Sequence, residues 1–156
     1  MKPVSETSNV IVFRLENQLH ALPVDRVDRI LRIVEITPPP YSRPFLMGYI
    51  NVEGKVVPVI NTRLLLGVKV RDIELSDQLI LLHGPQGLVA LWVDDGTNIY
   101  THNPPQRPKN PNASAQRQLS PEVIQTKEGL IFIHEIEKLL RFLVNDTNDY
   151  GPLEKL

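Results

Sequence analysis

The stretch GYINVEGKVVPVINTR, Gly48 to Arg63, is an almost unbroken apolar run carrying a proline at Pro58 and an acid at Glu53. Its two halves, "FLMGYINV" and "KVVPVI", are separated by Glu53-Gly54. A two-residue spacer ending in glycine between apolar runs predicts a tight β-hairpin. Pro58 has no backbone N–H, so in a strand it must face away from the ladder, at a sheet edge or a bulge. Glu53 then stands at the tip of the hairpin.

Working outward, the same texture recurs. "VIVFRL", Val10 to Leu15, is β-branched and aromatic, which favours a strand, and "LHALP" resumes an extended chain after the "ENQ" turn. After Pro23, Val24, Val27, Ile30 or Leu31, and Val34 recur at helical spacing, predicting a short helix that hands over to a strand within "ILRIVEIT". "TPPPYSRP" is excluded from regular structure by its prolines. Asn61 is placed to cap a helical turn, "TRLLLG", closed by Gly67. A second hairpin is expected from "QLILLHG" and "LVALWVDD", joined around Pro85-Gln86-Gly87. Thr97 to Pro121 holds five prolines and no acid, and reads as a long irregular loop, with its most unusual part at 100–121. "PEVIQT" and "LIFIH" read as closing strands, and Ile136, Leu139, Leu140, Leu143 and Val144 share one face of a terminal amphipathic helix.

Short strands between turn residues predict a mostly all-β architecture of small barrels. The 156 residues suit one domain or two small subdomains around a common core. Seventeen basic against eighteen acidic side chains leave a net charge of -1, without the basic surplus that phosphate binding demands. Absence of cysteine excludes disulfides, thiol nucleophiles and zinc–thiolate sites. The polar N-terminus and the lack of a long apolar run predict a cytoplasmic protein with no direct membrane insertion.

The sequence carries no recognisable catalytic set and no metal or cofactor motif. His20, His83, His102 and His134 are far apart in sequence and read as ordinary turn or strand-end histidines. Asp94 and Asp95 point to opposite faces of a strand end, so they do not form an acid/base couple. Trp92 and Tyr49 are aromatic enough to anchor an interface, although Trp92 within "LVALWV" reads as core. Arg26, Arg29 and Arg32 alternate with Asp25 and Asp28, the pattern of a mixed, solvated face.

In order and spacing, "FRLENQLHALPVDRVDRI", "GYINVEGKVVPVINTRLLLG", "LVALWVDDG" and "GLIFIHEIEKLL" resemble CheW-like domains, the adaptors of bacterial chemosensory arrays. The resemblance covers roughly residues 10 to 140. It implies two small five-stranded SH3-like β-barrels packed on a shared core, with short helices and a C-terminal amphipathic helix. It places the domain at 10–145, with a first barrel at about 18–75, a second at about 76–134 to which the first strand is a candidate addition, and flexible tails at 1–9 and 146–156. It also implies no enzymatic activity and no cofactor. The implied partners are the regulatory domain of a CheA-type histidine kinase and the cytoplasmic tip helix of a chemoreceptor, with no nucleic acid. Alternatives are a same-fold adaptor of a non-chemotactic pathway such as surface motility, or a small β-barrel that binds a ligand or oligonucleotide.

The chain departs from the family pattern at two places. Where the family typically reads N-L-R-G, this sequence has Asn51-Val52-Glu53-Gly54. Where it typically has glutamate in V-x-E-I, this sequence has Val27-Asp28-Arg29-Ile30. An acid has become a base at one position and a base an acid at the other, which predicts an Arg29–Glu53 ion pair of reversed polarity. Exposed ion pairs contribute little to stability, so the expected role is partner selection. Val27, Arg29 and Glu53 are therefore the expected receptor-side contacts, with Val52, Val56 and Pro58 around the same hairpin.

Overall fold

The two central strands, Gln78–Gly84 and Gly87–Val93, are apolar on both sides because they pack on two faces. The computed structural model describes residues 8–102 and 122–141. Its strands are β1 (Ser8–Leu15), β2 (Gln18–Pro23), β3 (Val27–Arg32), β4 (Leu46–Val52), β5 (Lys55–Ile60), β6 (Gln78–Gly84), β7 (Gly87–Val93), β8 (Asn98–His102), β9 (Glu122–Thr126) and β10 (Gly129–Ile133). Two single-turn helices, α1 (Thr62–Leu65) and α2 (Ile136–Leu139), complete the described elements apart from a 3-10 turn at Val24–Arg26.

The strands form two five-stranded sheets, ordered β8-β1-β2-β10-β9 and β3-β6-β7-β5-β4. Alternate residues of one strand supply different cores. Ile80 and Leu82 of β6 join Val89, Leu91 and Val93 of β7 in a cluster with Ile11, Phe13 and Leu15 of β1, which fills the space between the sheets. Leu79, Leu81, Ala90 and Trp92 face the other way, against Ile50, Val52, Val57 and Val59. A third, smaller cluster of Val10, Ala21 and Ile131 serves the first sheet. The second sheet is strongly curled. Laid flat, its outer strands β3 and β4 would be about 19 Å apart at the usual strand spacing. Yet Arg29 on β3 reaches Glu53 at the tip of the β4–β5 hairpin, 3.1 Å away.

The expected division near residue 75 does not follow the sheets. β6 and β7 belong with β3–β5, whereas β2 belongs with β1 and the late strands, through a parallel pairing of β2 with β10. The helix expected after Pro23 is only the 3-10 turn. Val27, Ile30 and Leu31 lie in a strand, because β-branched side chains suit a pleated surface and β6 supplies a partner. The loop expected from Thr97 also gives way, since Asn98–His102 pair with β1. Residues 103–121 lie outside the described residues, as do Leu143 and Val144 of the expected terminal helix and most of both tails. Ile136, Leu139 and Leu140 are buried as expected.

Pro58 is not on an edge strand, because β5 lies between β7 and β4. Its tolerance has another cause. Tyr49, its partner on β4, spends both backbone groups on Thr37, donating to Thr37 O and accepting from Thr37 N–H at 2.8 Å each. Tyr49 and Pro58 are therefore a non-hydrogen-bonded pair, and β4 needs no donor from the proline. On the other side, the register with β7 begins only at Val59. The approach of Thr37 also requires Gly48, where an added Cβ would lie 2.2 Å from Thr37 O.

Candidate functional site

The β4–β5 turn holds Glu53 at φ 52° and Gly54 at φ 85°. Two positive φ values in a two-residue loop match the strand twist of a hairpin, and glycine adopts the second without penalty. Asn51 Oδ1 accepts from Gly54 N–H at 2.8 Å, and Glu53 stands out from the tip with its side chain 76% exposed. Across from it, the pairing of β3 with β6 shifts register between Val27 and Arg29, leaving Asp28 as the bulged residue. Bulges re-aim side chains at sheet edges.

The result is a chain of charges across the mouth of the curled sheet. Arg29 donates from Nη1 to Glu53 Oε2 at 3.1 Å and from Nε to Asp28 Oδ2 at 2.7 Å. His83 Nε2 lies 3.4 Å from the other oxygen of Asp28. The hydrogen bonds that Arg29 donates to Asp28 and then to Glu53, together with the charges of those acids, raise the Arg29 pKa above its ordinary value. These groups line an open groove of about 360 Å³ with Val56 and Leu88 among its apolar walls. Val56 is largely exposed, whereas Val52, also in the groove lining, is buried in the inner cluster. Val27, which packs against the inter-sheet core, and half-buried Pro58 are outside the groove lining.

Two further polar clusters were not foreseen. The first is buried. Arg63, fully enclosed, donates to Asp94 Oδ1 at 2.6 Å, to Glu16 Oε1 at 2.5 Å and to Lys69 O at 2.8 Å. Arg71 reaches both oxygens of Asp77, at 2.8 and 2.9 Å, and Asp94 Oδ1 at 2.8 Å. Trp92 Nε1 also donates to Asp77. Burial pushes the Asp77 carboxyl up, but the hydrogen bonds from Arg71, the Glu74 backbone and Trp92 outweigh it, and the net shift is downward. The network ties the β1–β2 turn to the far end of β7, where Glu16 N–H and Arg14 O also bond to Asp94. Both oxygens of Asp77 and of Asp94 accept from guanidinium or N–H donors, the arrangement of a structural clasp.

The second cluster is a buried pair of histidines, His20 and His134, with Nδ1 of the first 2.9 Å from Nε2 of the second. Gln18 Oε1 accepts from His20 Nε2, so His20 Nδ1 is the acceptor for the His134 N–H. Burial lowers both pKa values to about 4, and for His20 the neighbouring His134 adds to the effect. Among the described residues, no group of three or more His, Asp or Glu stands together as a metal site, and no helix is long and apolar enough to cross a membrane.

Comparison with known proteins agrees with this architecture. Chemotaxis protein CheW of Thermotoga maritima is 37% identical over 59 residues, a match spanning 38% of this chain and 39% of that relative. This match therefore covers less than half of that relative's length. Longer matches are to a probable chemotaxis protein CheW of Rhizobium etli, 26% identical over 83% of this chain and 85% of the relative, and to chemotaxis protein CheW of Bacillus subtilis, 25% identical over 94% and 86%. The crystal structure of scaffolding protein TtCheW from Thermoanaerobacter tengcongensis shares the fold, with a TM-score of 0.65 at 24% identity over 81% of this chain and 82% of that one. The model of the CheW-like domain matches residues 9–143, nearly all of the ten-stranded framework and the groove included, and the chain belongs to that family.

Proposed function

We propose that this protein is a non-enzymatic cytoplasmic adaptor that couples a chemoreceptor-type signalling protein to a CheA-type histidine kinase. The receptor's tip helix would lie at the groove bearing Arg29 and Glu53, and an apolar strand surface would meet the kinase's regulatory domain. The observation that carries this reading is the Arg29–Glu53 pair, displayed at an open groove on a framework that the CheW-like domain model matches over residues 9–143. An exposed pair adds little to folding, whereas charges on a recognition surface choose partners by attraction and by repulsion. The reversed polarity that the sequence resemblance implies favours a partner other than the family's usual receptor, and so keeps a surface-motility pathway as a second reading. A nucleic-acid role has less support, since the groove carries no aromatic platform.

The test is a charge-reversal cycle read by binding of the purified protein to a receptor tip and to a kinase regulatory domain. Arg29→Glu and Glu53→Arg should each weaken receptor binding while kinase binding persists, and the double variant should recover part of the loss. A double variant no better than the two single losses combined would refute the pairing as a recognition device.

A further inference from the structure

The connection from α1 to β6 runs from Leu66 to Asp77, longer than such links need to be, and has no regular structure beyond a turn. Even so, it is pinned along its length. Val68 N–H donates to Arg63 O at 2.8 Å, and Arg63 holds Lys69 O. Arg71 turns inward to Asp77 and Asp94 and also donates to Asp72 O, while Glu74 N–H donates to Asp77 Oδ2 at 2.8 Å. Buried ion networks are a poor route to stability, because desolvating the charges offsets most of their attraction. What this one achieves is a single shape for the loop.

The side chains that the shape displays are apolar. Leu75 is 91% exposed, and Val70 and Ile73 are also open to solvent. Ile73 and Leu75 alternate with exposed Asp72 and Glu74. Ordering a loop before binding removes a cost that would otherwise be met at association. We propose that this loop is a second docking element, separate from the Arg29–Glu53 groove, and that it takes a segment of a partner protein in which apolar residues alternate with lysine or arginine. Charge complementarity selects that occupant. A second copy of the same loop would set Asp72 and Glu74, which lies 3.9 Å from Arg71, against their own counterparts with only the exposed Lys69 to offset them, and nucleic acid or an anionic lipid surface would meet the same acids.

The probes are two synthetic peptides with the same leucine spacing, one interleaved with lysine and the other with glutamate, titrated into the full chain at low salt. The lysine peptide should bind roughly tenfold or more tightly than the glutamate peptide. Leu75→Ser, which removes no buried contact, should leave the melting temperature unchanged and weaken the lysine peptide roughly fivefold or more. Glu74→Lys should narrow the preference, and Arg29→Glu should not affect it, which separates this site from the proposed receptor groove. Equal binding of the two peptides, or indifference to Leu75→Ser, overturns the proposal. So does sedimentation showing a dimer that Leu75→Ser dissolves, because a second copy would then be the occupant.

Discussion

Acid should unfold this protein through two imidazoles. His20 and His134 are 4% and 9% exposed, and burial holds both pKa values at about 4, against 6.5 for a free side chain. Unfolding releases them to water, where they take up protons readily. Between about pH 6.5 and about pH 4 the unfolded chain therefore binds more protons than the folded one, and stability falls as pH falls. From about pH 7.5 to about pH 5, nearly every unfolded imidazole becomes charged while the folded pair stays neutral. That difference amounts to about 2 kcal/mol per histidine, or about 4 kcal/mol for the pair, a large part of a small domain's stability. The geometry gives the reason. A proton on His20 Nδ1 would face the His134 N–H across 2.9 Å, between the rings of Phe13 and Phe132. Asp77 does not confuse this window, because its depressed carboxyl loses its contribution only at lower pH. Urea unfolding at the two pH values measures the loss, and His20→Gln with His134→Gln should remove most of the slope. Equal stability of the native chain at both pH values, or a double variant that keeps the full slope, would refute the reasoning.

Two other substitutions test the framework. Gly48→Ala should cost about 2 kcal/mol or more, because its Cβ would strike a backbone oxygen that cannot retreat without breaking the Thr37–Tyr49 bridge, and denaturant unfolding would show it. Arg63→Ala should destabilise by about 3–5 kcal/mol by leaving Asp94 short of a buried partner, and hydrogen exchange should quicken from Val68 to Ser76.

What the sequence made legible is what local chemistry determines. Glu53-Gly54 announced its hairpin, Asn61 its cap and Ile136, Leu139 and Leu140 their buried face, since each depends on neighbours in the chain. The apolar spacing of Val24, Val27 and Ile30 fitted a helix, but the long-range pairing with β6 prevailed over that local periodicity. The same limit hid the sheet membership, because β2 is joined to β10 across the whole fold. It also hid the two buried polar clusters. His20 and His134 are 114 residues apart, and the carboxylates that bind Arg63 and Arg71 come from separate turns and strand ends. A buried acid flanking an apolar strand, as at Asp77 before β6 and Asp94 after β7, is the one local sign that such a cluster offered.

The Arg29–Glu53 contact was legible for a different reason, since two departures from a family pattern were reciprocal. The structure adds a third member that the pattern did not suggest. Asp28 bonds to Arg29 Nε at a shorter distance than Glu53 does to Nη1, and its side chain is 22% exposed against 76% for Glu53. Arg29 is therefore anchored from within its own strand, and Glu53 is the outer, more readily exchanged acid. This makes the charge-reversal cycle asymmetric. A glutamate at position 29 would sit beside Asp28 whatever occupies position 53, so like charges stay adjacent even in the double variant. Recovery should consequently be partial in that variant, and adding Asp28→Asn should extend it. If Asp28→Asn adds nothing, repulsion from the bulged acid is not what limits the recovery.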